Sequence, residues 1–241
     1  MTYNVFIGAG VFPELAAAAE EELLPGNRLP KILSIIKTAN PDIVGIQEAK
    51  DWDKGDPTVA EKVANELGMN YFLAATQSRL HLVLFTKFKI AEAENLSYKI
   101  GNIASHGGLH ATLLTPDGQT IHVFVVHLAP HGSKWAERLR QIEILTQEMS
   151  PYMQSSTILI GDLNYGLFCE SDVLCREYNA LRKAGWQLVG KIGPGFDQIW
   201  TSRALSRSIT GISFSDELLR GASDHLPVGA IIGIYPAEAK Q

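Results

Sequence analysis

Cysteine is nearly missing from this 241-residue chain, which has only Cys169 and Cys175. Two thiols cannot build a disulfide framework, and their spacing fits no zinc knuckle, so two buried free thiols are expected. A basic surplus is missing too: 21 Lys and Arg face 26 Asp and Glu, for a formal charge of −5. Proteins that grip the DNA backbone take most of their non-specific affinity from phosphate neutralisation. High-affinity duplex binding is therefore not the default, and a local basic patch around Lys134, Arg138 and Arg140 is what remains of that option. No apolar run reaches the roughly 20 residues of a membrane span. The opening Met-Thr-Tyr-Asn-Val-Phe-Ile-Gly has no basic n-region, so it does not read as a signal peptide and a cytoplasmic home is expected, with secretion open if a leader lies outside this sequence. No repeat, low-complexity tract or Pro/Ser-rich linker divides the chain, which predicts one domain over residues 1–241. A Gly-rich nucleotide loop, a Walker sequence, a Gly-x-Ser-x-Gly elbow and a His-Glu-x-x-His pair are all lacking, and with them the sequence signals of those enzyme classes.

What is there reads as an ordinary globular protein, with 46% apolar and 20% charged residues, enough for one large α/β core. Short β-branched and aliphatic runs predict strands at Ile43–Gln47, Leu80–Thr86, Leu109–Thr115, Ile121–His127, Thr157–Gly161, Gln198–Thr201 and Val228–Ile234. Pro116-Asp117-Gly118-Gln119 is a turn signal that makes the third and fourth a hairpin. Helices are predicted at Glu14–Leu24, Leu29–Thr38, Thr58–Leu67, Lys134–Met149 and Ser171–Ala184. Asn40-Pro41 closes the second of these, and Gly68 and Gly185 close the third and fifth. Antiparallel strands with helices outside them predict a layered α/β sandwich rather than a doubly wound parallel sheet.

The polar residues fall where apolar strands end. Ile43–Gln47 runs into Glu48; Ile121–Val126 into His127; Thr157–Gly161 into Asp162, with Asn164 two residues on. Asp197 precedes the Gln198 strand, and Ser223-Asp224-His225 stands before the last one. Any one of these alone is more commonly a solvated turn residue or a hydrogen-bonded structural histidine. Several strands each delivering one make a shared site the economical reading, because acids and imidazoles are costly at buried strand ends unless paired or metal-bound. The residue types fit phosphate-ester hydrolysis at a hard cation. Glu48, Asp224 and Asn4 offer oxygen ligands, Asp162 a base for water, and His127 and His225 imidazoles to steady developing charge.

In order, Thr2-Tyr3-Asn4-Val5, Asn40 through Glu48, Val126-His127-Leu128, Ile160-Gly161-Asp162-Leu163-Asn164, Phe196-Asp197-Gln198-Ile199 and Ser223-Asp224-His225-Leu226-Pro227-Val228 resemble the endonuclease/exonuclease/phosphatase superfamily. The resemblance implies a four-layer α/β sandwich: two mixed β-sheets face to face, helices on both outer faces, and the site at one edge. It further implies that Glu48 binds Mg²⁺ (or Mn²⁺) with help from Asn4 and Asp224, and that Asp162 and Asn164 position the attacking water and the phosphate. His225 would contact phosphate, paired with Asp197, which would raise its pKa and keep it cationic.

Two features depart from the pattern. Some relatives carry a second Glu that backs the His127 equivalent, whereas Thr76-Gln77-Ser78-Arg79-Leu80 holds no acid; and only three residues precede Asn4, so a clipped first strand is expected. Trp52 and Trp135 are candidates to line a pocket, and Ala9–Asn27, with its Glu20-Glu21-Glu22 run, is expected to be an added solvated helix or a lid. Tyr165–Gly195 is too short for a large DNA-clamping insertion, and at most one of Arg138 and Arg140 is expected to reach phosphate. The expected partner is a phosphoester substrate, with DNA or RNA and small or lipid phosphoesters both open; no protein partner is implied and a monomer is expected. A catalytically silent binding module is the alternative of a different class.

Overall fold

The computed structural model describes residues 1–20, 24–100, 106–130, 134–165, 176–189, 196–205, 209–212 (backbone only) and 219–234. Twelve strands are described: β1 Thr2–Asn4, β2 Ile43–Lys50, β3 Asn70–Ala74, β4 Leu80–Thr86, β5 Lys89–Asn95, β6 Gly107–Leu114, β7 Thr120–His127, β8 Ser156–Asp162, β9 Gln187–Leu188, β10 Asp197–Thr201, β11 Ile209–Ile212 and β12 Gly229–Ile232. The helices are α1 Pro13–Glu20, α2 Leu29–Ala39, α3 Val59–Leu67, α4 Ser97–Ile100, α5 Trp135–Met149 and α6 Arg176–Lys183. The first sheet runs β1-β2-β4-β3, the second β5-β6-β7-β8-β10-β9, and β11-β12 form a ribbon. Only β1–β2 and β7–β8 pair in parallel within the two sheets. Mutual hydrogen bonds between Thr2 and Val228 tie the segment ahead of β12 to β1.

The layers follow from strand parity. On β2, Val44 and Ile46 point outward to pack with Ile32, Ile35 and Ile36 of α2 and Val59 and Val63 of α3. On β7 and β8, Phe124, Val126 and Leu159 point to the opposite outer face, against Ile142, Leu145 and Met149 of α5 and Leu181 of α6. Between the sheets lie Leu82, Leu84, Leu109, Leu113, Val123, Val125, Ile158 and Ile160. The expected four-layer sandwich is therefore present. Gly45, on the inner face of β2, marks where the sheets come closest: a Cβ there would lie 2.8 Å from Ile160 Cδ1 and 2.9 Å from Val125 Cγ1.

The predicted hairpin is β6–β7, paired from Gly107↔His127 to Leu114↔Thr120. Helix α3 carries a capping box, Thr58 Oγ1 accepting from Glu61 N at 3.2 Å and Glu61 Oε2 from Thr58 N at 2.7 Å, and Gly68 ends it in the left-handed region. Asn40 ends α2 by taking a left-handed conformation itself (φ 46°). Strands β3, β5, β9 and β11 are absent from the sequence expectation; β5 is largely exposed and its Lys-Ile-Ala-Glu-Ala-Glu-Asn carries little apolar signal. Trp52 does not line a pocket. It is wholly buried, with its indole N–H donated to Gly8 O at 3.0 Å. Cys169, Cys175, Glu21, Glu22, the start of the helix predicted from Ser171, and much of Tyr165–Gly195 lie outside the described residues.

Gly45→Ala should overpack the sheet interface and cost about 1–3 kcal/mol of stability. Chemical denaturation checks this, and adding Ile160→Val should recover part of the loss; strictly additive effects would contradict the contact.

Candidate active site

The same parity that builds the core aims the polar strand ends inward. Asn4 follows Thr2 on the inner face of β1; Asp162 follows Ile158 and Ile160 on β8; His127 follows Val123 and Val125 on β7; Asp197 precedes Ile199 on β10 and pairs with Asp162. Glu48 would break this rule, since Val44 and Ile46 face outward. A bulge between Ile46 and Ala49 supplies the correction. Glu48 takes φ 57°, Ala49 assumes the outward position, and the Glu48 carboxylate turns to the sheet edge. Bulges commonly re-aim a side chain in this way.

Asp162 is the hub. Its side chain is 2% exposed. Its Oδ1 accepts Asn164 N at 2.9 Å, and its Oδ2 accepts Asn4 Nδ2 at 3.0 Å. The same Oδ2 lies 3.5 Å from His127 Nε2 and 3.8 Å from His225 Nε2. Asn4 Nδ2 also donates to Glu48 Oε1 at 3.1 Å, so one amide bridges two carboxylates from different sheets. Its Oδ1 accepts Phe6 N at 3.0 Å. Glu48 Oε2 accepts Ile7 N at 3.1 Å, and Glu48 Oε1 stands 4.0 Å from His127 Nε2. Asp224 is exposed beside this group, and Ser223 Oγ anchors its turn to Asn4 O at 2.8 Å. All eight residues singled out from sequence thus sit at one edge of the sandwich.

The loops that deliver them are clamped by residues the sequence reading did not assign to the site. Phe6, Ile7, Gly8, Ala9 and Gly10 all have positive φ. A left-handed conformation costs roughly 1–2 kcal/mol at each non-glycine position, so this run persists only because its surroundings hold it. The buried Arg28 does much of that holding, donating from its guanidinium to Val5 O, Phe6 O and Ala222 O. After His127, Ala129 N donates to Gln141 Oε1 at 2.8 Å, and Asn164 Nδ2 to Leu128 O at 2.8 Å. Arg138 donates to Ala129 O and Pro130 O and pairs with Glu177 at 3.0 Å. That corrects the expected basic patch: Arg138 is 4% exposed and engaged in fixing a loop, while Lys134 and Arg140 are exposed. In place of a backing acid, His127 has the ring of His106 against it, edge-on at 4.9 Å between centroids. No partner for His127 Nδ1 is found among the described residues.

Burial alone would lower the pKa of His225, but it is outweighed by the 2.6 Å hydrogen bond to Asp197 and by the Asp197, Asp162 and Asp224 carboxylates, which raise it to about 9. Asp197 is itself pushed up, by burial first, with His225 opposing. The imidazolium is therefore the favoured form at neutral pH. Asp224 also stands above the usual carboxylate value, first through desolvation and then through Glu48, with His225 pulling the other way. Next to His127, His106 is pushed down to about 3, mainly by burial, and is neutral.

In metal-free protein, histidine-resolved NMR should find His225 protonated at pH 7 and deprotonating near pH 9. Asp197→Asn should bring that midpoint down towards the ordinary histidine value of about 6.5. A wild-type midpoint already near 6.5 would contradict the pair.

A family model described as the Endonuclease/Exonuclease/phosphatase family matches residues 1–225. No curated protein sequence matches. Solved structures with a similar fold include a D. rerio TDP2 humanized by 14 mutations (20% identity, 95% of this chain and 94% of that chain, TM-score 0.65). They also include the human Nocturnin catalytic domain with bound sulfate anion (17%, 85% and 84%, TM-score 0.67). A third is a mannosyl-6-phosphatase of Bacteroides thetaiotaomicron (15%, 97% and 98%, TM-score 0.69). With the family match running from ahead of Asn4 to His225, across every residue of the site, this chain belongs to the Endonuclease/Exonuclease/phosphatase family.

Proposed function

We propose that the chain is a divalent-metal-dependent phosphoester hydrolase in which Asp162 activates water for attack on phosphate. The observation that carries this reading is the setting of Asp162 Oδ2: a buried carboxylate oxygen oriented by the Asn4 amide, with His127 Nε2 at 3.5 Å and His225 Nε2 at 3.8 Å. A water seated against that oxygen would be held in line by a base whose partner atom, Oδ1, is fixed by Asn164 N. His225 is held cationic by Asp197 and can neutralise a phosphate oxygen as charge develops. His127 can donate or accept a hydrogen bond to the same group.

The donor set suits a hard cation. Glu48 and Asp224 offer carboxylate oxygens, and the upward shift that Glu48 imposes on Asp224 is the kind of like-charge repulsion a cation relieves. Mg²⁺ keeps several waters and takes one or two carboxylates, a shell that these two residues can start and solvent can complete; Mn²⁺ can take its place. When bound, the cation would polarise the phosphoryl oxygen and stabilise the leaving oxygen.

Two observations favour a small phosphoester over a long nucleic acid: the formal charge of −5 and the withdrawal of Arg138 from the surface into its pair with Glu177. Phosphodiester cleavage in nucleic acid stays the competing reading, and TDP2 of D. rerio, a protein of similar fold, has been crystallised with single-strand DNA product. Salt separates the two. Turnover of a small ester should change little between 50 and 200 mM salt, whereas a reaction depending on several phosphate contacts loses affinity by orders of magnitude.

Asp162→Asn should lower turnover on the best member of a phosphate-ester panel by about 10²–10⁴-fold with the fold intact. Wild-type turnover in that variant would remove Asp162 as the base. Glu48→Gln should shift the Mg²⁺ titration of activity to higher concentration; an unchanged titration would take Glu48 off the ligand list.

A further inference from the structure

Arg28 is a buried cation that joins two segments of the chain far apart in sequence. It lies just ahead of α2, 4% exposed, where a cation opposes the helix dipole rather than complementing it. Among the described residues it makes no ion pair within 4.0 Å, although a buried charge ordinarily demands one. Its guanidinium instead donates to carbonyls of two segments far apart in sequence. Val5 O and Phe6 O follow β1, and Ala222 O, at 3.1 Å, precedes Ser223-Asp224-His225. Its own main-chain N–H donates to Ala9 O at 2.8 Å, so Arg28 brackets the left-handed run at both ends. Its Cζ also stands 5.6 Å from the Phe6 ring centroid.

One tethered segment contacts Glu48 and the other carries Asp224. The Phe6–Gly10 run presents Ile7 N to Glu48 Oε2, and the turn after Ala222 presents Asp224. Burial desolvates the guanidinium, and the Asp224 and Glu48 carboxylates act against that loss, so both lie within the field of Arg28. We propose that Arg28 is the positioning residue that fixes the Glu48 and Asp224 carboxylates relative to one another and thereby sets the cation affinity of the site. This rests on the metal-dependent reading above. The planar fork matters: an ammonium carries the same charge but cannot present donors in the fixed geometry that meets carbonyls of two segments.

Residues that orient ligands from behind typically change metal affinity by about 10–100-fold when removed. Binding of Mn²⁺, followed by the loss of its free-ion EPR signal, is therefore compared in wild type, Arg28→Met and Arg28→Lys, with folding verified by circular dichroism. Thr58→Ala serves as the control, because losing the α3 capping box lowers stability by a contact that involves neither Arg28 nor a site residue. Arg28→Met should bind Mn²⁺ at least about tenfold more weakly, Arg28→Lys should recover only part of the loss, and Thr58→Ala should match wild type despite its lower melting temperature. Wild-type affinity in Arg28→Met would make Arg28 a structural residue only and overturn the proposal. If Arg28→Met does not fold, wild-type affinity in Arg28→Lys overturns it equally. A wild-type protein that binds neither Mn²⁺ nor Mg²⁺ would instead remove the metal reading itself, and this proposal with it.

Discussion

The site turns on a single amide. Asn4 is the last residue of β1 in one sheet, and its Nδ2 reaches Asp162, the last residue of β8 in the other, while also donating to Glu48 beside it. The two donated hydrogen bonds can form together only if the sheets sit at one separation and one register. That separation is set by small side chains at the interface, Gly45 above all, whose missing Cβ leaves room for Ile160 and Val125. Core packing and site geometry are thus one constraint: shifting the sheets to admit a larger residue would draw Asn4 off Asp162.

Around this bridge the protein gathers acids that repel one another. Glu48, Asp162, Asp197 and Asp224 share one edge, and the fold offsets their charge by different means. Asp197 is matched with His225, Asp162 faces two imidazoles, and Glu48 takes one main-chain and one amide N–H. Asp224 is exposed, and among the described residues it is the one of the four with no ion pair within 4.0 Å. A group that is uncompensated in the free protein is where a cation would gain most. Asp224 and Glu48 also offset part of the desolvation of the Arg28 guanidinium, which has no carboxylate partner among the described residues.

Most of this could be read from the sequence because strands obey a period of two. An apolar run that ends in His127 or Asp162 already says that the last residue shares a face with the core, whereas Asn4 lies on the face opposite Met1, Tyr3 and Val5. Glu48 could be named from its place after Ile43–Gln47 and from the family resemblance, yet its inward aim needed the bulge, which leaves no mark in the sequence. The left-handed run was hinted at only by Gly8 and Gly10; Phe6, Ile7 and Ala9 give no such signal. Helical spacing separates Arg138 from Arg140 and sets Arg138 on the same stripe as Ile142, Leu145 and Met149, the buried face of α5, which is why it leaves the surface. Arg28 carried a faint signal, a cation at the wrong end of a helix, but its partners are up to 194 residues away and only the folded chain brings them together. Edge strand β5, whose Lys, Glu and Asn residues face solvent, has pairing but no apolar pattern to betray it.

The most direct test of this account is anomalous diffraction from a crystal soaked in Mn²⁺ and inorganic phosphate. The account predicts a manganese peak at coordination distance, about 2.1 Å for an octahedral cation of this kind, from oxygens of both Glu48 and Asp224. Phosphate should lie within hydrogen-bond reach of His225 and against Asp162 Oδ2 through a water. Manganese bound elsewhere with this edge of the sandwich vacant, or phosphate held away from His225, would contradict it.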